Sequence, residues 1–145
     1  MNLYDRHTVQ PQTTYITAVW KTIEHHKVMM KRPDYPDMVA GLKPFLRDGQ
    51  MNMRHVEFDN DTNVAFAAPT TAISTLTLTE GQNREHLGVL LKTLGEVLDH
   101  GQGSYAPIAW GEIQEEPGKF YLVMGWDSVQ VTHVVILRVL SWVLT

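Results

Sequence analysis

The chain holds 145 residues, 43% hydrophobic and 19% charged, the balance of a globular protein and not of a disordered one. Its formal charge of −4, with 12 scattered Lys and Arg, argues against a nucleic-acid footprint, which needs clustered cations on phosphates. The absence of cysteine excludes a disulfide framework, a thiolate metal centre and a cysteine nucleophile.

The length fits one domain. No run approaches the ~18 apolar residues of a membrane span, and the start MNLYDRHTVQPQTT has no signal-peptide core. A cytoplasmic protein with no membrane partner is the expectation. Residues 1–13 read as a flexible lead-in and 14–145 as a single α+β domain. Tyr15–Trp20 (YITAVW), rich in β-branched and aromatic residues, predicts a strand. Thr22 then suits the cap of a helix starting at Ile23 and broken by Pro33 and Pro36. A second helical piece, capped by Asp34 or Asp37, carries Met38, Val39, Leu42, Phe45 and Leu46 on one side. Pro44 bends or ends it, and Asp48-Gly49 supplies the stop. Gln50–Phe58 predicts a strand, with neither face cleanly apolar. The turn Asp59–Asn63 and a loop through Pro69 join the two halves.

Thr71–Thr79 alternates as a strand: Ile73, Thr75 and Thr77 against Ala72, Ser74, Leu76 and Leu78. Asn83 is a good cap for the strongest helical pattern in the chain, from Arg84 to about His100. Leu87, Leu90, Leu91, Leu94, Val97 and Leu98 form one apolar stripe along it. Gly88 and Gly95, two turns apart, let that helix lie close to a sheet. Ala106–Gln114 is the next strand, with Ile108, Trp110 and Glu112 on one face. Glu116-Pro117-Gly118-Lys119 forms a tight turn. The return strand Phe120–Trp126 points Phe120, Leu122, Met124 and Trp126 together, and Ser128 suits a further helix cap.

The phrase from Trp20 to His26 (WKTIEHH) aligns with Trp126 to His133 (WDSVQVTH). Each reads as a strand ending on Trp, a hydroxyl cap two positions later and an aliphatic residue beneath. This marks an internal repeat of strand plus helix, with half-repeats 14–60 and 71–145. On those phrases the chain resembles the antibiotic-biosynthesis-monooxygenase-like (ABM) group of the dimeric α/β-barrel superfamily, in its two-copy fungal form, truncated at both ends. The resemblance is strongest over Ala72–His133. It implies a ferredoxin-like dimeric α/β-barrel fold as a partial or permuted repeat, an antiparallel sheet with helices on one face, and a homodimer formed face to face.

The resemblance also implies a cofactor-free monooxygenase or cyclase-like enzyme acting on an aromatic or polyketide molecule. Asn, Trp, Tyr or His residues of such an enzyme hold and deprotonate a substrate that itself activates oxygen. His26, His133 and Asn52 are the catalytic candidates. Trp20, Trp110, Trp126, Arg54 and Tyr121 are the candidates for binding a flat apolar ligand. No organic cofactor and no metal is expected. His25 and His26 diverge by about 100° on a helix, and His55 with Glu57 lacks the spacing of a known metal motif. The plainer reading makes the histidines caps or core pieces and Trp20 and Trp126 packing anchors. It belongs to the alternative function, a non-catalytic ligand-binding or stress-related dimer, or an inactive truncated copy. Ser104 and Ser128 lack a nucleophile-elbow context, Gly101-x-Gly103 follows a helix, and Glu115 and Glu116 read as solvated turn residues.

Overall fold

The computed structural model describes residues 15–46, 49 and 51–132. The expected lead-in 1–13, Asp48, Gln50, His133 and the tail 134–145 lie outside the described residues. The chain divides into two compact units, Met1–Met51 and Asn52–Thr145.

In the first unit, Thr22 caps α1 (Ile23–Met30) by accepting from the His25 amide, as its position predicts. A Glu24–Lys27 ion pair at 2.9 Å lies along the same helix. Pro36 sits in the first turn of α2 (Tyr35–Ala40), where its missing N–H costs nothing. A 3-10 turn, Lys43–Phe45, follows with Pro44 inside it. Asp34 precedes α2 but makes no side-chain cap, because Arg32 holds its carboxylate at 2.7 Å. Tyr15–Trp20 forms no strand, against expectation, and residues 15–19 are exposed. β-branched propensity reports fit to a half-buried pleated surface, and the described residues of this unit form no strand to supply one.

The second unit contains α3 (Asn63–Ala67), β1 (Thr70–Thr77), α4 (Arg84–Asp99), β2 (Ser104–Glu112) and β3 (Lys119–Trp126). The sheet order is β1-β3-β2, with β3 antiparallel to both neighbours. β1 and β2 therefore run parallel, joined by α4, with the return strand inserted between them. This split β-α-β arrangement is an α+β fold with an antiparallel three-stranded sheet, compatible with ferredoxin-like topology. Asn83 caps α4 by accepting from the amides of Glu85 (2.7 Å) and His86 (3.4 Å). Residues 129–132 begin another helical turn, where Ser128 Oγ accepts from the Val131 amide at 3.3 Å.

Pairing sets Ser74, Leu122 and Trp110 in one row and Ile73, Val123 and Ala109 in the next. Alternate rows face opposite sides of the sheet. α4 covers the first side, where Leu98, Ile108, Leu122, Met124 and Trp126 form the core. Burying a leucine such as Leu91 or Leu98 there contributes about 1.5–3 kcal/mol. The close approach expected of the two helix glycines is present. A Cβ at Gly95 would stand 3.3 Å from Ile108 Cγ1, and one at Gly88 3.4 Å from Trp110 Cη2.

Four expectations need correction. The apolar stripe of α4 is only partly buried, because Leu90 and Val97 are 50% and 56% exposed. Helices do not keep to one side. α3, unseen in the sequence, lies on the other, where Gly125 meets Ala65 and Ala68, and the Thr71 hydroxyl donates to the Ala65 carbonyl at 2.8 Å. The expected strand over Gln50–Phe58 reduces to a single bridge between Val56 and Ile113. The Trp repeat holds for its caps, Thr22 and Ser128, and fails for its strands, since Trp126 ends β3 and Trp20 belongs to none.

Candidate functional site

Strand pairing decides which groups of the sheet are left to do something else. The Ile113 amide donates to the Lys119 carbonyl at 2.8 Å, so odd-numbered residues of β2 near the hairpin bond to β3. The backbone of Ile108 and Trp110 then points outward, and side chains meet it. The Ile108 amide donates to Asp99 Oδ1 at 2.8 Å, and its carbonyl accepts from Asn60 Nδ2 at 3.1 Å. The Trp110 amide donates to Asp59 Oδ1 at 2.8 Å, and its carbonyl accepts from the Asp59 amide at 3.0 Å. A recess of about 170 Å³ lies beside this edge, lined by Asp59, Asn60, Lys92, Glu96, Asp99 and Trp110 among others. Ligand pockets for drug-sized molecules run to about 300–1,000 Å³. The recess is too small to enclose a flat polycyclic molecule.

The β2–β3 hairpin carries a cluster of charged groups. Glu115 accepts from the His55 amide at 2.8 Å and also pairs with its ring nitrogen Nδ1. Burial opposes charge on Glu115, yet the bonds from His55 hold its carboxyl below the ordinary value. Lys119 and Arg54, each 2.5 Å from Glu116, hold that carboxyl below its ordinary value too. The His55 carbonyl accepts from the Gln114 amide at 2.9 Å. These two glutamates, expected to be solvated turn residues, instead fasten Arg54 and His55 to the hairpin. Arg54 and His55 stand 62 and 60 positions from these partners, so no local pattern could reveal them.

Within the second unit the sequence-predicted site residues take separate places. Trp126 is fully buried in the α4-side core, its Nε1 without a partner among the described residues. Trp110 lies on that side as well, its ring 6.2 Å from the Phe120 ring and its edge against Gly88. Tyr121 belongs to the opposite face, in register with Gly111 and Thr75. Arg54 donates from Nε to Glu116. Asn52 is exposed. In the first unit, His26 is buried and stacks on Trp20, ring centroids 4.4 Å apart and planes within 13°. His133 lies outside the described residues. Within the second unit, Trp110 and Trp126 therefore sit across the sheet from Tyr121.

Sequence reasoning missed Asp59, Asn60 and Asp99, which guard the β2 edge. The turn-forming run from Asp59 was the available signal, since such side chains readily bond nearby backbone. No group of three or more His, Cys, Asp or Glu among the described residues could hold a metal ion. Among the described residues no helix is long and apolar enough to cross a membrane. The fold and these sites define a small α+β protein with a three-stranded split β-α-β sheet. No family model, curated protein or solved structure matches the chain.

Proposed function

We propose that this chain is a non-catalytic, dimer-forming α+β protein, whose sheet and α4 surface serve association instead of turnover. The observation that carries the reading is the separation of Trp110 and Trp126 from Tyr121 by the thickness of the sheet. A cofactor-free oxygenase needs its aromatic walls and polar groups around one substrate. Here Trp126 is sealed in the core and Arg54 is engaged by Glu116. The exposure of Leu90 and Val97, two turns apart on α4, adds support, since exposed apolar surface on a small protein marks contact with a partner.

The test is the mass of the chain in solution, with a thermal-shift screen of flat aromatic ligands. A dimer whose melting is unmoved by every ligand is the expected result. A ligand at 100 Kd would add about 2.7 kcal/mol, so a stabilised protein would return the enzyme reading to favour. A monomer at all concentrations would end the dimeric reading.

A further inference from the structure

The two edges of the sheet are treated differently. The outer edge of β2 is closed by Asp59, Asn60 and Asp99, and beyond Glu112 by the Val56–Ile113 bridge. The outer edge of β1 has no strand partner among the described residues. The Leu78 amide donates to the Gly118 carbonyl at 2.8 Å, which fixes even-numbered residues as the ones bonded to β3. The backbone groups of Thr71, Ile73, Thr75 and Thr77 therefore point away from the sheet. Ile73, Thr75 and Thr77 are also the exposed residues of the strand.

Soluble proteins protect such edges with charge, proline, bulges or a covering segment. β1 reads Thr-Thr-Ala-Ile-Ser-Thr-Leu-Thr, with no charged residue, no Pro and no Gly, and it pairs with β3 without a break in register. We infer that β1 is the assembly edge: it pairs antiparallel with β1 of a second copy, joining two three-stranded sheets into one of six strands.

The self-partner follows from symmetry and charge. A two-fold axis sets a strand against its own copy, so charged side chains near the axis would meet like charges. β1 carries none. With the axis at Ser74, Ile73 lies opposite the partner's Thr75 and Thr71 opposite the partner's Thr77. All four bring outward-pointing backbone groups together. Thr–Thr and Ile–Thr pairs are favourable cross-strand neighbours. On the other face Ala72 meets the partner's Leu76. Both residues already pack against the core cluster, so the apolar layer continues across the axis.

This inference rests on the dimeric reading above and gives it a surface. The experiment is sedimentation of the full chain and of two variants, with hydrogen exchange at high and low protein concentration. Thr75→Pro removes an amide unused within the sheet. The axis duplicates that loss, so dimerisation should weaken about 30-fold. Ile73→Lys places a charge on each side of the axis and should dissociate the dimer while keeping the wild-type circular dichroism. The amides of Ile73, Thr75 and Thr77 should exchange faster on dilution. A dimer indifferent to both variants would overturn the edge and leave the dimeric reading standing. A monomer would remove both. A monomer with those amides protected at every concentration would show the chain covering its own edge, and would likewise overturn the inference.

Discussion

Replacing Gly125 with alanine tests whether α3 is seated on the sheet as described. A Cβ at Gly125 would lie 2.8 Å from the Ala68 Cβ, 2.8 Å from the Tyr105 Cβ and 2.9 Å from the Ala65 Cα. None of these atoms is the tip of a flexible side chain, so the backbone of α3 or of β2 must move. Overpacking of this kind costs about 1–3 kcal/mol. For a unit of this size that is a fall of about 4–24 °C in melting temperature. Urea unfolding followed by tryptophan fluorescence should show an earlier midpoint with little change in slope. Gly88→Ala is the internal contrast. Its Cβ would stand 3.4 Å from Trp110 Cη2, an ordinary contact, while alanine gains about 0.5–1 kcal/mol over glycine in a helix interior. The two substitutions should move stability in opposite directions. A Gly125→Ala midpoint equal to wild type would mean that α3 does not rest on that face.

Asn83→Ala should remove the cap bonds to the Glu85 and His86 amides and cost about 0.5–2 kcal/mol, read from the same urea curves. Acid should loosen the hairpin. Glu115 and Glu116 both sit below the ordinary carboxyl value, so their contribution is complete above the unfolded value of about 4.3. It is lost as the pH falls through the folded-state values. Midpoints measured from about pH 6 down to pH 3 should fall, and a Glu115→Gln, Glu116→Gln double variant should fall less steeply. Equal slopes for the two proteins would place the acid sensitivity elsewhere.

The elements legible in the sequence are those whose pattern is local. The Asn83 cap, the hairpin turn at Gly118 and the alternation of β1 each occupy a short window, and the structure keeps them. The failures share a different cause. Tyr15–Trp20 has strand composition, but composition brings no neighbouring strand with it. Residues 55–57 show no clean face because they meet the sheet partly through backbone, as in the bond from the Gln114 amide to the His55 carbonyl. A Cβ at Gly111 would collide with the Glu57 carbonyl and the Val56 side chain. A glycine inside a strand is the signature of such an approach, so part of that packing was open to inference. Trp126 shows where inference stops. An indole at a strand end reads equally well as the wall of a pocket or the floor of a core. The difference lies in what covers it, and here Leu98, which falls about thirty residues away in the chain, belongs to the cluster that buries it. The Trp–x–Ser/Thr phrase therefore specifies a helix cap, while the setting of its tryptophan depends on packing partners outside the phrase.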